Sequence, residues 1–326
     1  MFNNDNYLFL SLKFFLKHLI WNFKFHKYDK TRRNIFLLTS RRSGGTWIMQ
    51  ALSRTKNTKS VIEPFNYGFR DFINRRHYSN NILKNGFPRL DKDRKFVISF
   101  IKKVLFSNSI KSQEQWRISS SDFHFFTSRT VVKLHSPKFF LDDFQKAFPK
   151  EKFIYLVRNP IAQTLSILKL EMQSLDYLDW FLEDKEYVNR YLSSRQIAYI
   201  KSISEKGQRI DKLFLTWILE NYPLLRNVKH NNLLLIKYED LVSKKPEMII
   251  KIEQYLGEEL AHKDKFDQPS ITSFNSKKMI QSQNQEEILN RWKKEVNRQK
   301  VILFQEMLDI FGITLYSYKD FLSIKE

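Results

Sequence analysis

Asn34-Ile-Phe-Leu-Leu-Thr-Ser-Arg-Arg-Ser-Gly-Gly-Thr-Trp47 is the stretch from which the rest of the chain can be read. Ile35 to Leu38 is a short apolar run, the pattern of a parallel strand buried on both faces. Arg41 to Thr46 is a basic, glycine-containing turn. From Thr46 to Arg54 the apolar residues Ile48, Met49 and Leu52 return at helical spacing. Strand, tight turn and helix in that order predict a phosphate cradle. The first backbone N–H groups of a helix have no acceptor within it, and the helix dipole favours an anion there. Arg41, Arg42 and the hydroxyls of Ser43 and Thr46 add side-chain donors.

Working outward, strand-like runs alternate with helical patterns after residue 30, which predicts an α/β fold: three α/β/α layers around a central parallel sheet. Thr58 to Ile62 reads as a second strand, ending at Glu63-Pro64. Residues 66–128 are basic, irregular and rich in Asn, Phe and Lys, and read as an insertion with a few helices. Val131 to Leu134 is another short strand, and Phe139, Phe140, Phe144 and Phe148 then follow a helical pattern. Phe153 to Val157 is the most apolar strand, with Pro160 in the first turn of the next helix. A helical region over about 177–229 precedes a last strand, Leu233 to Ile236. Lys245 to Leu256 reads as a helix closed by Gly257. Residues 262–284 are polar and loop-like, and Glu286 to Phe311 reads as one long helix stopped by Gly312. The expected organisation is an N-terminal arm, residues 1–30, and a single catalytic domain, residues 31–326.

Composition narrows the partners. The chain has 326 residues, 42% hydrophobic with 29 Phe, enough for a large core. Its formal net charge is +21, which points to an anionic partner: nucleotide, nucleic acid, acidic glycan or membrane surface. There is no Cys, so disulfides and Cys-based metal sites are excluded. Asn-x-Ser/Thr acceptor sites are also missing, and no signal peptide is evident. The chain is therefore expected in the cytoplasm. Residues 7–25 are apolar but interrupted by Lys13, Lys17, His18 and Lys24, which argues against a transmembrane span. On a helical wheel the three lysines form a narrow stripe opposite Phe9, Leu12, Phe15, Leu16, Leu19 and Phe23. Such an arm can lie on the inner membrane surface, pack on the domain or join an oligomer.

A second anion signal follows the most apolar strand. Phe153-Ile-Tyr-Leu-Val-Arg158-Asn-Pro160 ends a buried strand in a cation, at the sheet edge where open α/β folds bind ligands. Ser166, two turns into the next helix, can join Arg158 on one phosphate. No Gly-Lys-Ser/Thr occurs, so a nucleoside triphosphate enzyme is disfavoured.

Together these stretches carry a resemblance. Arg42-Ser43-Gly44-Gly45-Thr46-Trp47 resembles the 5′-phosphosulfate-binding loop of sulfotransferases that use 3′-phosphoadenosine-5′-phosphosulfate (PAPS). Arg158 and Ser166 resemble that family's 3′-phosphate-binding motif, at the same spacing. Tyr238-Glu239-Asp240-Leu241, with Pro246 following, resembles a further family landmark. Asn290-Arg-Trp292 before a final helix, then Gly312 and Tyr316, is similar to the ending of carbohydrate sulfotransferases, which the chain resembles most in pattern, as a bacterial type. The likeness runs in order over about residues 34–316.

The resemblance implies PAPS as co-substrate, with Arg41, Arg42, Ser43, Gly44, Gly45, Thr46 and Trp47 at its phosphosulfate and Arg158 and Ser166 at its 3′-phosphate. No metal is implied. Arg42 takes the position of the cation that stabilises the leaving phosphate. Gly45 stands where the family commonly has Thr or Ser, so one hydroxyl contact is lost. Two residues compete to accept the proton of the acceptor hydroxyl. His135, in Lys133-Leu-His135-Ser-Pro137, resembles the base of the cytosolic small-molecule branch, and Lys133 can reach the cofactor. Glu63, in Ile-Glu-Pro, resembles the Glu-Pro of carbohydrate-type members. Lys277 and Lys278 either close over the cofactor or remain solvated. Arg70, Arg75, Arg76 and Lys84 either bind an acidic acceptor or form a solvated face. Trp217, one helical turn before Asn221, reads as core.

The expected reaction is transfer of the sulfuryl group from PAPS to a hydroxyl of a glycan or glycolipid. A small-molecule or lipid alcohol is the alternative acceptor. A non-catalytic basic protein on nucleic acid or membrane is the alternative of another class, although nucleic acid is not the expected partner.

Overall fold

Residues 35–38 form the strand at the centre of the molecule because all four are apolar and none carries a side chain that needs water. The computed structural model describes residues 27–28, 32–53, 55, 57–65, 88–106, 126–169, 178–226, 232–261, 263–267 and 285–323. The amphipathic stretch 7–25, the cations Arg70, Arg75, Arg76 and Lys84, and Lys277 with Lys278 lie outside the described residues. No helix among the described residues is long and apolar enough to cross a membrane.

In chain order the strands are β1 Lys27–Tyr28, β2 Ile35–Leu38, β3 Thr58–Ile62, β4 Phe126–Thr127, β5 Arg129–Leu134, β6 Lys152–Val157 and β7 Leu233–Lys237. The main sheet is five-stranded and parallel throughout, in the order β3-β5-β2-β6-β7. The short β1 and β4 pair separately. After β2 the chain builds β3 and β5 on one side, then crosses to build β6 and β7 on the other. That reversal opens a crevice at the carboxyl end of β2, where ligands of such sheets bind.

Alternating side chains divide the core between the two faces of the sheet. Phe36, Leu38, Val132, Leu134, Phe153 and Tyr155 point to one face. Helices α2 Leu90–Phe106, α3 Leu141–Ala147, α4 Pro160–Leu168, α8 Arg209–Arg226 and α12 Arg298–Ile310 cover that face. Ile35, Leu37, Val131, Ile154 and Leu156 point to the other face, under α1 Gly45–Ser53, α9 Tyr238–Ser243 and α10 Lys245–Leu256. The result is the expected three-layer α/β/α fold. Each buried apolar side chain of β2 contributes about 1.5–3 kcal/mol. Phe36 stacks on Phe153 at 4.6 Å between ring centroids, joining the central strand to its neighbour.

The helical region after α4 comprises α5 Leu178–Glu183, α6 Lys185–Tyr191, α7 Ser194–Lys206 and α8. A capping box of Ser193 and Gln196 starts α7. Gly257, at φ 75°, ends α10 as its spacing predicts. The polar stretch after α10 contains a 3-10 turn, Lys263–Asp267, among its described residues.

The single helix expected from Glu286 to Phe311 is not formed. The chain makes α11 Gln285–Asn290, a 3-10 turn Arg291–Lys294, and then α12. Asn297 is the cause: it caps α12, its side chain accepting from Lys300 N at 2.9 Å. Trp292 and Val296 use the break to enter the core. Gly312, at φ 62°, ends α12, and α13 Lys319–Ser323 follows.

Candidate active site

At the end of β2, Thr39 N–H still donates to Leu134 O, at 2.9 Å, before the chain leaves the sheet. The turn that follows is braced from inside. Ser43 Oγ and Ser43 N–H both donate to Ser40 O, at 2.7 and 3.2 Å, and Ser43 is fully buried. The Ser43 hydroxyl, expected at the anion, is thus committed to the turn. Arg42 has φ 64° and Gly44 φ 91°. At Gly44 a Cβ would stand 2.7 Å from the Tyr238 ring, so the strand-side wall requires glycine there. At Gly45 a Cβ would stand 2.7 Å from Thr39 Cγ2 and 2.8 Å from Thr39 Oγ1. The space a residue-45 side chain would use therefore holds Thr39, whose hydroxyl is buried without a hydrogen-bond partner among the described residues. Trp47 packs edge-on against Tyr238 and Phe266, at 6.1 and 6.0 Å.

The second motif meets the first. Asn159 caps α4, accepting from Ala162 N at 3.1 Å, with Pro160 at the helix start. Arg158 Nη1 donates to Arg42 O at 2.8 Å, and its guanidinium lies 4.7 Å over the Tyr238 ring. Arg42 Nε donates to Ser166 Oγ at 3.2 Å. Arg42 therefore reaches to the Ser166 end, where Arg158 alone was expected, and Arg42, Arg158 and Ser166 form one group. Burial, then the like charge of Arg158, lowers the Arg42 pKa. Among the described residues neither arginine pairs with a carboxylate; their partners are neutral oxygens and a ring. Arg158 Nε is buried with no partner among those residues.

Across β2 lies a different cluster. Glu63 follows β3 with φ 46°, a left-handed conformation unusual for Glu and disfavoured before Pro64. Its N–H donates to Lys133 O at 2.8 Å, extending the pairing of β3 with β5. Its Oε1 lies 2.9 Å from Lys133 Nζ and 3.2 Å from His135 Nδ1. Lys133 Nζ also donates to Thr46 Oγ1 at 3.0 Å. Burial opposes the charge of Glu63, but His135 and Lys133 prevail and hold its carboxyl well below the usual range. Burial lowers the His135 pKa; Glu63 opposes this, and Lys133 and Arg41 add to it. Both base candidates thus stand together at the crevice, beside the cradle.

The family model described as a sulfotransferase domain matches residues 32–302. The chain belongs to the sulfotransferase family. It is an enzyme, a PAPS-dependent sulfotransferase. Among solved structures, the sulfotransferase domain of the Synechococcus PCC 7002 olefin synthase shares 15% identity, over 89% of this chain and 99% of that one, with a TM-score of 0.45. The sulfotransferase domain from the curacin biosynthetic pathway shares 14% identity, over 88% and 100%, with a TM-score of 0.45. The mouse sulfotransferase SULT7A1 complexed with PAP shares 13%, over 92% and 90%, with a TM-score of 0.40. No curated protein sequence matches the chain.

Two supports of this sulfotransferase's site come from residues to which the sequence assigned no role there. Glu239 accepts from Asn159 N at 2.8 Å and from the Tyr316 hydroxyl at 2.9 Å, fixing the Arg158 turn from below. Lys138 is fully buried behind the cradle and donates to Ser40 Oγ and, at 2.8 Å, to Glu220 Oε2. Ser40 and Tyr155 hydroxyls donate to Asn221 Oδ1, at 3.2 and 2.7 Å, so Lys138 and Asn221 hold Ser40 directly and Tyr155 fixes Asn221. Lys138 stands beside Phe139 and Phe140, and only its company in an apolar run signals burial. Trp217 is core as expected, and its carbonyl accepts from Asn221 Nδ2 at 2.6 Å.

Proposed function

We propose that this sulfotransferase transfers the sulfuryl group of PAPS to a hydroxyl of a glycan or glycolipid, giving a sulfate ester and adenosine 3′,5′-bisphosphate. The observation that carries the reading is the pair Arg42 and Arg158, half-buried cations with no acidic partner among the described residues. Such a pair suits an anionic ligand. The donor set suits the two anionic ends of PAPS. The start of α1 with Arg41, Arg42, Gly44, Gly45 and Thr46 would hold the 5′-phosphosulfate, and Arg158, Ser166 and the Arg42 side chain the 3′-phosphate. Trp47 would border the nucleotide. Bound there, PAPS supplies the sulfuryl group. Arg42 would stabilise charge on the leaving phosphate, and the Glu63–His135 cluster would receive the acceptor. No metal ion is required by this chemistry.

The carbohydrate-type pattern Asn290-Arg-Trp292, Gly312 and Tyr316 favours a glycan acceptor. The Lys133-x-His135 segment, with both side chains at the crevice, favours the second reading, a small-molecule or lipid alcohol. The arm, residues 1–30, would bring the domain, residues 31–326, to the inner membrane surface from the cytoplasm, in line with the net charge of +21.

The test is incubation of the full chain with sulfur-labelled PAPS and a panel of glycans, glycolipids, lipid alcohols and phenols. Label on sugar hydroxyls is expected; label on phenols alone would overturn the acceptor class. A thermal shift with adenosine 3′,5′-bisphosphate is expected beside it. No shift, together with salt-sensitive DNA binding, would favour the non-catalytic basic protein.

A further inference from the structure

We propose that Glu63 and His135 act as a dyad: Glu63 is a positioning residue that holds the His135 tautomer whose Nε2 takes the acceptor proton, and Lys133 keeps Glu63 from acting as the base. This rests on the sulfuryl-transfer reading above and deepens it.

The geometry separates the two carboxylate roles. Glu63 Oε1 sits between Lys133 Nζ, at 2.9 Å, and His135 Nδ1, at 3.2 Å. A carboxylate shared by an ammonium and an imidazole is a weak proton acceptor, because protonation would sacrifice both contacts. Glu63 is thereby held ionised, well below the usual carboxylate range despite its burial. His135 Nδ1 is buried, and the Glu63 carboxylate is the charged group beside it, at 3.2 Å. A ring nitrogen so placed is stabilised as N–H facing the carboxylate, which leaves the Nε2 lone pair as the acceptor. The charged groups that face His135 are Glu63, after β3, Lys133, from β5, and Arg41, from the cradle turn. Burial and the two cations favour the neutral ring, the form a base must have at neutral pH. The left-handed backbone of Glu63 also fits the dyad. A conformation unfavourable for Glu before proline persists where the surrounding contacts over-determine it, here the 2.8 Å hydrogen bond to Lys133 O and the two side-chain contacts.

In the step, His135 Nε2 takes the proton of the acceptor hydroxyl as that oxygen's lone pair forms the bond to sulfur. The bond from sulfur to the 5′-phosphate oxygen breaks, and its electron pair leaves on that oxygen. The imidazolium then returns its proton to solvent, and Glu63 stays ionised throughout.

The experiment compares the full chain with Glu63→Gln, Glu63→Asp and His135→Gln. Three quantities are measured: affinity for adenosine 3′,5′-bisphosphate, single-turnover transfer from PAPS to water and to octyl β-glucoside, and the nitrogen-15 spectrum of the His135 ring, assigned by its loss in His135→Gln. In the unmodified chain the ring is expected as the Nδ1–H tautomer. Glu63→Gln is expected to move the proton to Nε2 and to slow transfer by about 100-fold or more. Bisphosphate affinity is expected to stay within about threefold, since neither residue reaches the arginine pair. Because Glu63 raises the His135 pKa, its removal moves the acid limb of the surviving rate to lower pH. Glu63→Asp, which keeps the carboxylate, is expected to recover part of the rate and the original tautomer. Glu63→Gln with an unchanged tautomer would overturn the dyad, as would His135→Gln turning over normally while Glu63→Gln is inactive. If the unmodified chain transfers nothing while the tautomer behaves as stated, the sulfuryl-transfer reading fails and the positioning geometry stands. Bisphosphate binding shows that each variant is folded; a Glu63→Gln chain that cannot bind is replaced by Glu63→Asp, for which the original tautomer and part of the rate are required.

Discussion

The two sides of the crevice at β2 are built on opposite electrostatic plans. On the β5 side, Lys133 meets Glu63 at 2.9 Å and its charge is answered within the protein. On the β6 side, Arg42 and Arg158 contact a serine hydroxyl, a backbone carbonyl and the Tyr238 ring, and no carboxylate among the described residues. Nearby Glu239 is occupied by Asn159 N and Tyr316. The contrast teaches that a cation's neighbours, and not its presence, tell whether it serves structure or ligand. A balanced pair positions other groups, whereas an unbalanced one awaits an anion.

Substitutions on each side sharpen the contrast. Arg42→Ala should have the largest effect, lowering single-turnover sulfuryl transfer by about 10²–10³-fold or more. Near-normal transfer would break the contrast at its strongest point. Arg158→Ala comes next. Loss of a charge-assisted contact worth roughly 1.5–3 kcal/mol should weaken adenosine 3′,5′-bisphosphate binding by about one to two orders of magnitude. Titration calorimetry with adenosine 5′-monophosphate is the control, and equal loss for both ligands would place Arg158 elsewhere. Tyr238→Leu should have the smallest effect, removing the ring beneath Arg158 for about 1 kcal/mol, or roughly fivefold in bisphosphate affinity. An unchanged affinity would mean that the ring packs Gly44 and Trp47 without supporting the arginine.

The anion side was largely legible in the sequence and the proton side only half so, for a physical reason. Arg42 and Arg158 follow strand ends and Ser166 lies two turns into the helix after Arg158, where local spacing alone aims a side chain at the sheet edge. His135 and Glu63 were each legible as a strand-end residue. Their contact was not, because it depends on β3 pairing with β5. The strands themselves follow from apolar runs, and β2 and β6 lie within a residue of their expected ends. The terminal helix was misread because apolar spacing continues across Glu295–Asn297, and the cap that interrupts it is a single asparagine. Lys138 escaped because a cation beside phenylalanines reads as a surface residue until Ser40 and Glu220 close around it.

The close approach of Thr39 and Gly45 has a consequence for how this cradle can change over time. With 2.7 Å between Thr39 Cγ2 and the place of a residue-45 Cβ, the two positions form an epistatic pair. A hydroxyl-bearing residue enters at 45 only after, or together with, a smaller residue or a new rotamer at 39. Mutational routes between this loop and its hydroxyl-rich counterparts therefore couple position 45 to the side chain at position 39.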